Sequence, residues 1–290
     1  MPSIKSSYLI ILTILCFSLS VAGCNLMGGQ SKKPESGEQK PQAPAALEGM
    51  LKSIEGVISE VAQKSKMQGM SSLQRSAKVE PGKDSEQQGG GQKDSGGENQ
   101  AQQGGEQPGG AASENLTPVM DWKKEEDELR KLHRHWNKLE PQAIKAGLGS
   151  DERDKFEDNL NQLTRYIGSK NIEESIIAAT SLYMNYADIS QVFSTDIPPE
   201  YYRTKFEIMS AIIKSGSADW PAASNHAKKA QERWDSFKNQ LKEKPEELMS
   251  QCEFAIQDLS QAVSMEDFNL VMIKGEVLMG VLQELEAKMS

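Results

Sequence analysis

An apolar pattern that occurs twice limits this chain to few folds. Asp121-Trp122 returns as Asp219-Trp220, and each pair is followed fourteen residues later by another tryptophan, Trp136 and Trp234. At an offset of 98, Leu129, Leu132, Trp136, Leu139 and Ala143 fall on Ala227, Ala230, Trp234, Phe237 and Leu241. After a two-residue gap the match resumes at an offset of 96. Phe156, Leu160, Leu163 and Ile167 then fall on Cys252, Ile256, Leu259 and Val263. The run Ile172, Ile176, Ala179, Tyr183, Tyr186, Ile189 likewise falls on Phe268, Met272, Gly275, Met279, Leu282, Leu285. Steps of three and four are the period of a helix with one buried face. One gap aligns three successive stripes, which implies a duplicated three-helix unit.

The expected fold class is all-α. Seven helical segments fit residues 118–290: 120–146, 152–168, 171–194, 199–215, 219–242, 245–263 and 266–288. Ser150-Asp151, Pro198-Pro199 and Pro245 are start signals, and Pro141 should kink or shorten the first helix. The repeat spans 119–194 and 217–290, and helix 199–215 links the copies through Tyr202, Phe206, Met209 and Ile213. No alternating strand pattern or hairpin dipeptide interrupts the helical period. Upstream, Leu47, Leu51, Ile54, Ile58 and Val61 mark an amphipathic helix over 45–67 that has nothing of its own to pack against. It could supply the fourth helix that the first unit lacks. Residues 68–117 are rich in Gly, Gln, Ser and Glu and are expected to form a disordered linker. Its poorest forty residues would span roughly 35 Å.

The first residues read MPSIKSSYLIILTILCFSLSVAGC. Lys5 precedes an uncharged, mostly apolar run from 8 to 21, too short for a membrane span of about 20 residues. It ends in Val21-Ala22-Gly23-Cys24, which resembles the lipobox of bacterial lipoprotein precursors, with Val21 where leucine is usual. The resemblance implies a signal peptide over 1–23, recognised at Val21, Ala22 and Gly23 and removed before Cys24. It also implies a diacylglyceryl (palmitate-type) modification of the Cys24 thiol and a flexible leash over 24–44. Two acyl chains make a stable anchor where one binds reversibly. The expected location is the extracytoplasmic face of the cell membrane, or the outer membrane in a two-membraned cell.

The net charge of −9 gives no reason to bind nucleic acid. With Cys16 in the leader and Cys24 lipidated, Cys252 stands alone in an apolar stripe, as a small hydrophobe. His133 and His135 are two apart and point to opposite sides of a helix, and His226 is isolated, so no metal pair forms. Glu125 to Glu128, and Asp151, Glu152, Asp154, Glu157 and Asp158, read as solvated faces in first helical turns. Trp122 and Trp136 share a face about 21 Å apart and read as core rather than as a binding cleft. No nucleophile elbow, P-loop or dinucleotide fingerprint is present. The helical part is similar to uncharacterised helical domains of secreted and lipid-anchored Gram-positive proteins, which imply no activity. It lacks the Gly-x-His-x-x-Glu element of imelysin-like lipoproteins.

These readings point to a membrane-anchored helical interaction module of the cell envelope, without catalysis or cofactor. Its protein partner would be met in a groove between the two units. The alternative is an extracytoplasmic protein that binds a small molecule or metal between its helices.

Overall fold

A computed structural model describes residues 39–77, 121–241 and 245–289. Eight helices make up this part: α1 (Ala45–Ala77), α2 (Lys123–Lys145), α3 (Ser150–Gly168), α4 (Ile172–Ser190), α5 (Pro199–Gly216), α6 (Trp220–Gln240), α7 (Glu246–Ser264) and α8 (Phe268–Met289). Among the described residues no strand forms, only one isolated bridge between Gln42 and Ser194. The fold is all-α. No helix among the described residues is long and apolar enough to cross a membrane.

The apolar stripes become the buried faces. Leu129, Leu132, Trp136, Leu139 and Ala143 of α2 are buried, as are Ala227, Ala230, Trp234 and Phe237 of α6. Pro141 does not end α2, which continues to Lys145. The carbonyl that Pro141 leaves without a donor belongs to Asn137, an exposed residue that water can reach.

Helix α1 starts where the sequence places it but runs to Ala77, so residues 68–77, expected in the linker, are helical. They include the good helix formers Gln68, Met70, Leu73, Gln74, Arg75 and Ala77, and the first strong stop is Pro81-Gly82. The rest of the expected linker lies outside the described residues. So do the leader, Val21, Ala22, Gly23 and Cys24.

Helix α1 packs on α2 and α4, and α5 packs on α6 and α8. In each set the second helix meets the third and the third meets the fourth, while α4 against α5 joins the sets. Helix α1 therefore has the same two neighbour relations in the first set as α5 has in the second.

Individual contacts follow the same plan. Gly49 and Gly56 of α1 face His135 and Glu128 of α2, close enough that a Cβ at either glycine would crowd those side chains. Glu200 and Glu207 of α5 stand 151 residues later and meet Arg233 (3.3 Å) and His226 (2.6 Å). Those two stand 98 residues after His135 and Glu128. A bulky side chain opposite glycine in one set becomes a polar partner of a glutamate in the other. The difference between the offsets, 53 residues, is the extra chain between α1 and α2.

Several helices end in a left-handed residue that turns the chain back. Gly147 does so after α2, where Leu148 N–H closes on Ala143 O at 2.9 Å. Lys170, Ala218 and Glu266 adopt φ near +57° without being glycine, which strains an L-residue. Ala218→Gly should relieve that strain without loss of contact, since residue 218 is exposed. We expect a gain of about 0.5–1 kcal/mol in denaturant unfolding; an unchanged or lower midpoint would speak against strain at this turn.

Candidate functional site

Between the two sets lies a cleft of about 860 Å³. One wall is α1 at Leu47, Glu48, Leu51, Lys52 and Glu55, and the opposite side is the 194–197 loop and Glu286 of α8. Tyr186 of α4 and Tyr202 of α5 form its floor. Gln39, Lys40, Gln42, Ala43 and Pro44 also line it, in an extended strap over 39–44. The strap is held by Ser194 N–H donating to Pro41 O (2.8 Å) and Ala43 N–H donating to Ser194 O (3.2 Å). Its two prolines, Pro41 and Pro44, keep it out of the helix that begins at Ala45.

Beneath the floor, Lys205 of α5 is buried. Its ammonium donates to Glu55 Oε1 (3.0 Å) and Glu286 Oε2 (3.1 Å) and lies 5.1 and 5.4 Å from the ring centres of Tyr183 and Tyr201. Tyr183 donates to Glu55 Oε1 (2.6 Å), while Tyr201 donates to Leu282 O (2.7 Å) and Glu286 Oε2 (3.0 Å). One buried cation is thus shared by α1 and α8, helices from different sets, and two phenols complete the carboxylate shells. Burial pushes the phenols of Tyr183, Tyr186, Tyr201 and Tyr202 above their ordinary value, and the carboxylates at Glu55 and Glu286 act in the same sense. They stay protonated, and Tyr183 and Tyr201 act as donors. A second network holds the start of α5: Arg203 donates to Asp188 and Glu200, both at 2.6 Å.

Chemically the cleft offers carboxylate and amide acceptors and phenol edges, with four carboxylates (Glu48, Glu55, Asp196 and Glu286) against the two lysines Lys40 and Lys52. Such a lining suits polar recognition with aromatic backing. Sequence reasoning missed it because the two tyrosines that line it, Tyr186 and Tyr202, read as ordinary stripe residues. The structure buries Tyr201, Tyr202, Arg203, Thr204 and Lys205 in succession. A helix buried at five consecutive positions has no solvated side there, and its polar groups must find partners inside.

The residues singled out from sequence do not gather at the cleft. Trp122, Trp136 and Trp234 are buried in the core and Trp220 is half-buried. Trp136 Nε1 donates to Glu157 (3.4 Å) and Trp234 Nε1 to Glu253 (2.9 Å), related contacts given that Glu253 follows Glu157 by 96. His133 meets Thr164 Oγ1 at 3.0 Å, and burial lowers its pKa. Burial and nearby Lys138 and Arg134 lower that of His135. Cys252 is fully buried, and burial with Glu284 nearby pushes its thiol up to about 12, so it is not poised as a nucleophile.

One expectation needs correction. Glu125 was expected on a solvated face but is fully buried, paired with Lys64 of α1. The docking of α1 across the first turn of α2 covers Glu125 and brings its counter-charge. Glu126, Asp127 and Glu128 form exposed or partly exposed pairs with Arg130 and Lys131. Among the described residues no group of three or more His, Cys, Asp or Glu side chains comes together to hold a metal.

Burial alone would raise the Glu253 carboxyl, but bonds from Lys238, Trp234 and Gln231 outweigh it and hold it below the ordinary carboxylate range. A depressed folded value means that its stabilising effect is present above the unfolded value and is lost as pH falls through the folded one. Glu253→Gln should therefore flatten part of the acid-side loss of stability; an identical acid limb in the variant would contradict this.

No family model, curated protein or solved structure matches the chain.

Proposed function

We propose that the chain is a lipoprotein precursor, anchored through diacylglyceryl-Cys24 at the extracytoplasmic face of the membrane. There it serves as a helical protein-interaction module of the envelope, without catalysis, and meets its partner at the cleft between the helix sets. The supporting observation is where the strap lies. Residue 39, at the rim of the cleft, is fifteen residues after Cys24. That length reaches at most about 50 Å even fully extended. An anchored chain would therefore hold the cleft close to the bilayer, where envelope proteins are met at high local concentration.

Two experiments test the parts separately. Cys24→Ser should leave the precursor at its full mass and without lipid, read by mass spectrometry of the membrane fraction; normal trimming and acylation would refute the anchor. For the partner, crosslinking followed by purification from solubilised membranes should recover a stoichiometric protein. The rim variant Lys52→Glu with Asp196→Lys should lose it. Recovery undiminished by the rim variant would remove the cleft from the proposal.

The size of the cleft favours one second reading. A volume of 860 Å³ falls within the range of small-molecule sites, about 300–1,000 Å³. Binding of an organic ligand there, or of a metal, would raise the melting temperature of the lipid-free chain in a ligand screen. No shift with any compound or cation would exclude it.

A further inference from the structure

We infer that the outer face of α8, centred on Ile273 and Val277, docks an amphipathic helix of another protein that sets a basic residue against Glu284. The proposal goes beyond the cleft, whose lining includes none of these three residues. Seven large apolar side chains are exposed among the described residues, and five lie on α7, α8 or the turn between them: Phe254, Met265, Phe268, Ile273 and Val277. At three of these five places the other set has polar residues. The positions 96 residues earlier hold Asp158, Ser169, Ile172, Ile177 and Ser181, and both isoleucines are partly buried.

The first set shows what covers such a face. Helix α4 is packed by α5, and Asp188 of α4 receives Arg203 of α5 at 2.6 Å. The residue 96 positions after Asp188 is Glu284, exposed on α8. Ile273, Val277, Gly280 and Glu284 step by four, three and four and form one line along α8. Gly280 has nothing within 4 Å of where its Cβ would be. Glycine within a helix costs stability relative to alanine, and in this line it lets a second helix backbone approach closely.

Charge selects the occupant. Glu266, Asp267 and Glu284 are exposed around the line; Glu276 is exposed and meets Lys66 of α1 at 3.4 Å, Lys274 is engaged by Asp258 at 2.5 Å, and exposed Lys288 ends the line, so acidic groups remain in excess. A basic amphipathic helix fits this surface. A second copy fits poorly. It brings another net −9, and α1, which has the neighbours that α5 has, turns polar Glu48, Lys52 and Ser59 away from its buried stripe.

The test uses fluorescence anisotropy with two labelled synthetic helices, one built from leucine and lysine and one from leucine and glutamate. The protein is the chain from residue 25 onward, which contains every described residue. The Leu/Lys helix should bind, and Ile273→Glu with Val277→Glu should weaken it at least about tenfold. Glu284→Lys should weaken it too and shift preference toward the Leu/Glu helix. Gly280→Leu should block binding while the melting temperature holds or rises, which separates docking from folding. The inference is overturned if the Leu/Lys helix does not bind, if it binds no better than the Leu/Glu helix, or if the double variant binds as well as the parent. It is equally overturned if light scattering shows the chain pairing with itself through Ile273 and Val277.

Discussion

Removing residues 45–77 is expected to abolish the cooperative thermal melt of the helical domain. Helix α1 buries Leu47, Met50, Leu51, Ile54, Val57 and Val61 against α2 and α4. At about 2 kcal/mol for each side chain, that burial is of the order of the whole stability of a domain. Deletion also exposes the stripe Leu129, Leu132 and Trp136 on α2 and removes Glu55 from the Lys205 network. Circular dichroism melts of the deleted chain should show a broad, non-cooperative loss of signal. Adding the 45–77 peptide in trans should restore a sharp transition, because the connection it replaces is long and covalent continuity is not what positions the helix. A deleted chain that melts sharply at the parent midpoint would show that α1 is an accessory and not part of the core.

The second large effect is expected at Lys64. Its ammonium pairs with Glu125, a fully buried carboxylate, and lies 5.4 Å from the ring centre of Trp122. Lys64→Ala leaves that carboxylate without a counter-charge in a site closed to water. The expected cost is about 3–5 kcal/mol. The paired replacement Lys64→Met with Glu125→Leu removes both charges and should fall close to the parent or above it, since apolar replacement of a buried pair is often neutral or stabilising. Urea unfolding of the parent, Lys64→Met, Glu125→Leu and the double variant gives the coupling directly. If the single variant costs no more than a surface pair, well under 1 kcal/mol, water reaches Glu125 and the α1–α2 contact is looser than the structure has it.

Both expectations come from contacts across more than sixty residues of chain, and that distance marks what could be read from the sequence. The stripes on α2, α3, α6 and α7 were legible because a helix repeats its buried face every three or four residues, whatever it packs against. The burial of Trp136 and Phe156, and of Trp234 and Cys252, followed from that period alone. The burial of Glu125 did not: its neighbours in sequence are Lys124, Glu126 and Asp127, all charged. The cleft was hidden for the same reason. Tyr183, Tyr201, Lys205, Glu55 and Glu286 come from four helices, and no local pattern links residue 55 to residue 286.

By itself, the sequence determined the number and kind of helices in residues 118–290, the faces they bury and the offsets of 98 and 96 between their stripes, because backbone periodicity and apolar burial are local properties. Only the tertiary structure decided that α1 stands beside α2 and α4 as α5 does beside α6 and α8, that Lys64 neutralises a carboxylate in the core, and that Tyr186 and Tyr202 line a cleft above the buried Lys205 network. Those outcomes depend on which surfaces come together after the chain has turned back on itself. Coulomb attraction and desolvation act through the space between groups, at distances that their order along the chain does not encode.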